Sequence, residues 1–308
     1  MRSRSRWLVL LVIFFISSDA RAWAQSVAPP KVENPGHAPS PLFPKHRRGL
    51  YTNNDKLEVI DATPQSPPLE TDDPSVPDKG EYEINLLTAA DFAVDARSLN
   101  VVTVDANYGI VLKGFGHELP TQIKLEFPVV ARREAASPYQ IGLGDSAFGL
   151  KFNFYNDEHR GVRVSVYPQI AFSTGGSVDK GIAEAGQTLV LPILVSHESK
   201  YVTLVGNAGV DKAINDPERG TTAELGFGMG RAFFRKLAVM GELRTQSTTD
   251  FKHDRLVSAN AGFIYGVRKA IWYARVGHSL FSDDGRHAFV GFGMKVLIDT
   301  EEKTDARP

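Results

Sequence analysis

Hydrophobic and polar positions alternate along most of the chain, from Gly80 to Ile298. The clearest stretch is residues 162–172, where apolar side chains and one proline hold the even positions and mostly polar side chains hold the odd ones. A period of two residues is typical of a β-strand that has one apolar and one polar face. The alternation therefore predicts an all-β structure over this part of the chain.

Twelve segments share this alternation, and most reach the roughly 9–11 residues that a tilted membrane-crossing strand needs. Strands of globular proteins average about five or six residues. An even number of strands leaves both chain ends on the same side of a barrel. The pattern predicts a transmembrane antiparallel up-and-down β-barrel of about 12 strands. The approximate spans are 81–92, 100–112, 119–130, 141–155, 161–173, 186–196, 200–211, 220–232, 235–246, 255–267, 270–281 and 286–298.

The connections between these segments alternate in length, as in outer-membrane barrels. This alternation predicts that the even-numbered segments end on the periplasmic side, together with the N-terminus. The short connections follow the even-numbered segments and are 113–118, 156–160, 197–199, 233–234 and 268–269. The connections after odd-numbered segments are 93–99, 131–140, 174–185, 212–219 and 247–254, with 282–285 a short exception.

Some features do not fit a regular barrel. Pro128, Pro168 and Pro192 each remove a ladder donor, so we expect them to mark bulges or strand ends. The sixth segment is apolar on both faces around residues 189–195 and does not show which face it turns outward. A large soluble barrel, with apolar residues inside, is not excluded by alternation alone. The N-terminus, the strand lengths and the absence of cysteine favour the membrane.

The N-terminus has the pattern of a secretory signal peptide. Arg2, Arg4 and Arg6 precede an unbroken apolar run over residues 7–16, and Ala22-Trp23-Ala24 fits the small-x-small cleavage rule. The apolar run is shorter than the about 20 residues that a membrane-crossing helix needs. We predict a signal peptide over residues 1–24, export through the inner membrane, and a final location in the cell outer membrane.

The segment over residues 25–79 has a different composition, because it holds eleven of the 18 prolines and no persistent periodicity. It is predicted to be a weakly ordered periplasmic extension. The barrel follows over residues 80–298, and residues 299–308 form a charged tail. Because the chain does not stop at its last strand, we expect the outer-membrane assembly machinery to read an internal signal.

Charge limits the possible partners. The net charge of −1, with 23% charged residues, argues against a nucleic-acid partner and against a disordered acidic chain. The expected partners are outer-membrane lipid, the assembly machinery and a small-molecule solute.

Charged side chains occupy one face of the predicted strands, and this face is expected to line the lumen. Basic residues outnumber acidic ones among these candidates. They can form a neutralising network inside a closed barrel, or a polar pore that favours anions, and the two interpretations are compatible. The candidates are Asp105, Lys124, Glu126, Lys151, Arg163, Glu224, Lys236, Glu242, Arg244, Arg275 and Lys295.

An enzymatic function finds little support in the sequence. His278 and Ser279 are adjacent, which on a strand points their side chains to opposite faces. No spacing resembles a zinc or calcium site, a phosphate loop or a dinucleotide-binding turn. We therefore predict a protein that is not an enzyme, with no catalytic, cofactor-binding or metal-binding residues.

Several short motifs lie just before and along the predicted strands. They are Glu70-Thr71-Asp72-Asp73-Pro74, Val76-Pro77, Gly80-Glu81-Tyr82-Glu83, Gly142-Leu143-Gly144-Asp145, Phe148-Gly149-Leu150-Lys151, Phe172-Ser173-Thr174-Gly175, the strand from Lys236-Leu237 to Gly241-Glu242-Leu243, and Phe289-Val290-Gly291-Phe292-Gly293. These motifs resemble a family of outer-membrane barrels labelled as components of a meta-pathway of phenol degradation, or as transporters. The resemblance spans about residues 70–298, with Ser173 where the family usually has proline. It implies a barrel and a role in passing small organic solutes, and it carries over no catalytic residues.

The leading hypothesis is a passive channel for small aromatic or acidic molecules. One alternative is a closed structural or binding barrel that presents the connections 131–140 and 174–185 outward. A more remote alternative is a lipid-modifying barrel enzyme.

Overall fold

The computed structural model describes residues 60–93, 96–114, 117–134, 137–199, 201–214, 219–267 and 270–299. The predicted signal peptide, residues 25–59 of the predicted extension and nearly all of the charged tail lie outside these residues. The elements are β1 (Glu81–Phe92), β2 (Ala96–Gly114), β3 (His117–Glu134), β4 (Gln140–Leu143), β5 (Ser146–Asp157), β6 (Val162–Val166), β7 (Gln169–Phe172), α1 (Gly175–Val178), β8 (Gln187–Glu198), β9 (Thr203–Ala213), β10 (Thr221–Phe234), β11 (Leu237–Thr248), β12 (Leu256–Val267), β13 (Ala270–Ser282) and β14 (Ala288–Asp299).

The strands form one closed antiparallel barrel. β1 pairs with β2 on one side and with the last strand, β14, on the other. The ladder between β1 and β14 runs from Glu81↔Asp299 to Phe92↔Ala288 and closes the barrel. β4 and β5 lie end to end along the wall, as do β6 and β7, so the barrel wall has twelve strands. The predicted twelve-stranded antiparallel barrel is confirmed.

The connections define two ends of the barrel. β1 begins and β14 ends at the short-turn end, where two residues join β10 to β11 and two join β12 to β13. The opposite, long-loop end carries the connection between β7 and β8, residues 173–186. β2 and β3 are longer than predicted, at 19 and 18 residues, because their pairing continues to Gly114↔His117. The connections predicted at 93–99 and 113–118 are correspondingly shorter.

The in-strand prolines lie beside interruptions in the wall. Pro168 falls between β6 and β7, as expected for a strand end. Pro128 lies inside β3, next to the break between β4 and β5, and its carbonyl accepts the Gly144 N–H at 2.8 Å. Pro192 lies inside β8, and its carbonyl accepts the Tyr167 N–H at 3.1 Å. Both prolines therefore sit where the neighbouring strand leaves the regular ladder.

The apolar side chains of the strands point away from the barrel axis, and polar side chains fill the interior. The ambiguous sixth segment follows this rule, because Leu191, Ile193 and Val195 on β8 are 43%, 52% and 41% exposed on the outside. Leu194 is an exception to the rule, because it is apolar, points inward and is completely buried. An apolar exterior around a polar interior is the reverse of a soluble barrel and typical of a transmembrane barrel. The helix in the described part of the chain is too short to cross a membrane.

Candidate luminal site

Residues 60–79 lie inside the barrel, and we call them the luminal segment. The Ile60 N–H donates to the carbonyl of Arg235 at 3.0 Å, in the turn between β10 and β11. At the other end, the Gly80 N–H donates to the carbonyl of Gly109 on β2 at 2.9 Å. Both ends of the luminal segment therefore meet the wall near the short-turn end. The sequence predicted a weakly ordered periplasmic extension here, whereas these residues occupy the lumen and use its side chains as partners.

Glycines on β10 make room for the luminal segment. Gly226, Gly228 and Gly230 recur on the inward face, and a Cβ on Gly230 would overlap the carbonyl oxygen of Ala62. A Cβ on Gly228 would lie 2.7 Å from Pro64, and one on Gly226 would lie 2.9 Å from Thr71 Oγ1. The luminal segment thus packs directly on the backbone of β10, which only glycine permits.

Apolar contacts secure the first part of the luminal segment. Leu69 is 1% exposed. It belongs to a buried cluster that joins the luminal segment to the inner faces of β11, β12 and β13. The members of the cluster are Ile60, Ala62, Leu69, Ala238, Met240, Ile264, Ile271 and Tyr273. This apolar region inside a mostly polar lumen is explained by the segment that packs on it.

Glu70 is clamped between two arginines of the wall. Its Oε2 lies 2.7 Å from Nη1 of Arg244 on β11, and its Oε1 lies 3.1 Å from Nη1 of Arg275 on β13. Arg244 also pairs through Nη2 with Glu224 on β10 at 2.6 Å. Burial by itself raises the pKa of the Glu70 carboxyl, but the two guanidinium groups outweigh it and hold the pKa below its usual value. Glu70 is therefore held in its ionised form.

Glu242 anchors the backbone of the luminal segment at Glu70 and Thr71. Its carboxylate accepts the Glu70 N–H at 3.0 Å and the Thr71 N–H at 2.7 Å. The amide of Asn260 on β12 donates to the same carboxylate at 2.6 Å. A carboxylate with three N–H donors forms charge-assisted hydrogen bonds, which are stronger than neutral ones.

The second part of the luminal segment is held by β5 and β6. Lys151 donates to the carbonyl of Asp73 at 2.8 Å, and its Nζ lies 3.7 Å from the Asp73 carboxylate. The amide of Asn153 donates to the carbonyl of Pro74 at 3.0 Å, and the hydroxyl of Ser165 donates to the same oxygen. These contacts fix the luminal segment against the part of the wall where β6 and β7 are interrupted.

Further ion pairs and amide contacts fill the remaining space. Lys295 on β14 lies 3.1 Å from Glu83 on β1 and donates to Gln65 at 2.7 Å. Lys124 pairs with Glu126 on β3 at 2.7 Å. The polar cavity between the luminal segment and the wall measures only about 10 Å³, which is room for about one water. At this level the lumen is closed.

The predicted lumen-lining residues can now be placed. Asp105, Lys124, Glu126, Lys151, Arg163, Glu224, Glu242, Arg244, Arg275 and Lys295 lie on strands with their side chains toward the lumen. Arg163 pairs with Glu198 at 3.6 Å, away from the Glu70 clamp. Lys236 requires a correction, because it lies in the two-residue turn between β10 and β11 and its side chain is exposed. The turn is so short that the alternation runs through it without a break.

The luminal segment supplies residues that the sequence did not identify as part of a site, chiefly Gln65, Glu70 and Asp73. Two signals were present in the sequence. One is the acidic run Glu70-Thr71-Asp72-Asp73 just before the first strand. The other is glycine at three successive inward positions of β10, Gly226, Gly228 and Gly230.

The long connection between β7 and β8 packs back on the long-loop end. Ile182 and Ala183 are buried, and a Cβ on Gly142 would lie 2.8 Å from Ile182. Lys180 donates to the carbonyl of Ile141 at 3.2 Å. An open cavity of about 580 Å³ lies between this connection and the adjoining ends of β7 and β8. Parts of the connection predicted at 174–185 therefore cover the wall rather than project outward.

Among the described residues, Ser279 and His287 do not form a hydrogen bond between their side chains. The Ser279 hydroxyl accepts the backbone N–H of His287 at 2.8 Å, while the imidazole of His287 faces Asp91 at 3.4 Å. Within the described ranges, no cluster of three or more His, Asp or Glu side chains is placed to hold a metal ion.

Similar proteins are found by structure. No family model and no curated protein matches the chain. An outer membrane channel from Pseudomonas putida F1 aligns over 73% of this chain and 97% of its own, at 12% identity and a TM-score of 0.54. The chain has an outer-membrane β-barrel fold.

Two further solved structures align with the barrel at lower scores. The NanC porin covers 69% of this chain and 98% of its own, at 8% identity and a TM-score of 0.47. The translocator domain of the autotransporter NalP from Neisseria meningitidis covers 71% and 89%, at 12% identity and a TM-score of 0.46. These two scores are too low to carry weight, and the resemblance to the phenol meta-pathway family stays a prediction.

Proposed function

We propose that this barrel is an outer-membrane channel for small solutes, closed in this structure by the luminal segment and opened when that segment moves. The observation that carries the proposal is the closure itself. A polar lumen is filled by the chain's own residues 60–79, which are held by ion pairs, hydrogen bonds and packing on glycine rather than by a wall strand. The luminal segment can therefore leave the lumen without breaking the backbone hydrogen bonds between the wall strands.

Placement in the outer membrane is supported by the strand lengths and by the apolar exterior. The wall strands that run without interruption have 11 to 19 residues, enough to cross about 25 Å of apolar membrane when tilted. The signal peptide predicted over residues 1–24 supports export. The short-turn end then faces the periplasm, and outer-membrane lipid and the assembly machinery are partners.

The class of solute rests on a resemblance, and the channel role has a structural parallel. The motifs that resemble the phenol meta-pathway family favour small organic solutes, including aromatic ones. The Pseudomonas putida protein with the same fold is itself an outer membrane channel. The alternative function is a closed structural or binding barrel, which the cavity of only about 10 Å³ favours as long as the luminal segment stays in place.

Replacing Gly230 with Val should open the channel. The added side chain would overlap the carbonyl of Ala62, and overpacking of this kind costs about 1–3 kcal/mol. The substitution destabilises only the closed state, in which the luminal segment fills the lumen. The fraction of channels that are open should therefore rise roughly five- to hundredfold. The measurement is single-channel current in planar bilayers, with the full-length protein and its Gly230→Val variant.

The matched control is Gly206→Val on β9. Gly206 pairs with Phe227 on the outward face, and a Cβ added at Gly206 would have as its nearest neighbour an oxygen 4.0 Å away. This variant should behave as the wild type. If Gly230→Val folds, as judged by heat-dependent gel mobility, and conducts no more than Gly206→Val, the closed-barrel function replaces the channel.

A further inference from the structure

The two arginines that hold Glu70 have the features of a binding site that the chain itself occupies. Arg244 and Arg275 approach the two oxygens of one carboxylate from β11 and β13, at 2.7 and 3.1 Å. Arginine is suited to this task because its planar fork of donors matches a carboxylate. Both guanidinium groups belong to the wall, whereas the carboxylate belongs to the luminal segment.

Glycine lies opposite both arginines on the neighbouring strands. Arg244 pairs across the sheet with Gly226, and Arg275 pairs with Gly262 and Gly291. A Cβ on Gly291 would lie 3.1 Å from the Arg275 side chain, and one on Gly226 would lie 2.9 Å from Thr71 Oγ1. Glycine therefore lets the Arg275 side chain lie against the backbone of β14, and lets the luminal segment approach the wall closely beside Arg244.

Arg275 has unused donor capacity. Its Nε–H is buried and has no acceptor. Among the described residues, Glu70 is the carboxylate within ion-pair distance of Arg275, whereas Arg244 keeps Glu224 as a second partner. With the luminal segment seated, the Arg275 side chain is only 12% exposed. When Glu70 withdraws, the guanidinium faces the vacated lumen without its ion partner, and an anion that enters can form the same charge-assisted hydrogen bonds.

We propose that Arg244 and Arg275 form a binding site for the carboxylate of a small organic acid, and that Glu70 is its intramolecular competitor. This inference rests on the proposed channel function, because a solute must reach the lumen. The luminal segment thus imitates the solute. A carboxylate that enters from the long-loop end competes with Glu70 for the same donors, and binding favours the open state.

Glu242 adds a second point of recognition. It now accepts two backbone N–H groups next to the Glu70 side chain, at 3.0 and 2.7 Å. An acid that carries an N–H donor near its carboxylate would satisfy both the arginines and Glu242. The site therefore selects for a carboxylate first, and for a nearby donor second.

The test is equilibrium dialysis of the full-length folded barrel in detergent against benzoate, with benzamide as a neutral probe of the same shape. Glu70→Gln keeps the size of the competitor and removes its charge, so this variant should bind benzoate about tenfold more tightly than the wild type. Benzamide should bind to neither protein. Adding Arg275→Met to Glu70→Gln should weaken benzoate binding about tenfold or more, because charge-assisted bonds are lost.

The matched control is Arg163→Met in the Glu70→Gln background. Arg163 is a luminal arginine that pairs with Glu198 and does not touch Glu70. Its loss should leave benzoate binding unchanged. Equal binding of benzoate by Glu70→Gln with and without Arg275→Met would overturn the site, and so would equal binding of benzamide. Heat-dependent gel mobility identifies any variant that fails to fold, and Arg244→Met then takes the place of Arg275→Met.

Binding and conduction separate the two proposals. Benzoate binding without current in the Gly230→Val variant would keep the carboxylate site and remove the channel. Current in that variant, without charge-dependent binding of benzoate, would keep the channel and remove the site.

Discussion

Lys295→Met should destabilise the folded barrel by about 3–5 kcal/mol, because it removes one partner of a buried ion pair. Lys295 is 2% exposed and pairs with Glu83, which is 4% exposed. It also donates to Gln65, so the same nitrogen joins β14, β1 and the luminal segment. Without it, the buried Glu83 carboxylate loses the ammonium group that lies 3.1 Å away, at the ladder that closes the barrel. Urea titration of the protein in lipid vesicles would measure the loss.

The control for Lys295→Met is Arg255→Met at the long-loop end. Arg255 pairs with Asp283 at 3.0 Å, but both side chains are open to solvent. Exposed ion pairs contribute little because water screens them. Its loss should leave the urea midpoint unchanged. If the two variants unfold at the same urea concentration, the internal ion pair does not support the barrel.

Phe227→Arg should cost about 2–4 kcal/mol in a bilayer, the usual cost of an arginine at the lipid-facing midplane of a barrel. Phe227 lies halfway along β10 and is 52% exposed on the outside of the wall. A soluble barrel would present the same position to water and would tolerate the charge. The measurement is the free energy of unfolding in phospholipid vesicles.

Two further variants control for Phe227→Arg. Phe227→Leu keeps the surface apolar and should cost much less. Phe251→Arg places the same charge in the connection between β11 and β12, where the side chain is 69% exposed. It should have almost no effect on the free energy of unfolding. Equal stability of Phe227→Arg and Phe251→Arg would argue against a membrane-facing wall.

The strands could be predicted because the environment of each face of a strand is visible in the sequence of that strand alone. Alternation shows which face meets lipid and which meets the lumen, and it needs no knowledge of the partner strand. Prediction failed where a local signal was weak. The turn at residues 235–236 is so short that the alternation continues through Lys236, and the break at Gly144 interrupts the wall without ending the alternation. The break at Pro168 could be expected, because proline removes a ladder donor.

The luminal segment could not be predicted in this way, because its partners are distant in the sequence. Glu70 and Glu242 are 172 residues apart, and Gln65 and Lys295 are 230 residues apart. A segment that bonds to side chains of the wall needs no period of its own. Its high proline content, which indicated an extension, is compatible with the lumen because no ladder there requires proline to donate.

Both ends of the luminal segment meet the wall near the short-turn end, at Arg235 and Gly109. A loop tethered in this way can withdraw in one direction only. A solute that enters from the long-loop end pushes the luminal segment toward the short-turn end, the direction in which the segment can leave the lumen. A force from the short-turn end pushes the segment further into the lumen. The barrel should therefore act as a one-way valve, and current through it should rectify with the sign of the applied voltage.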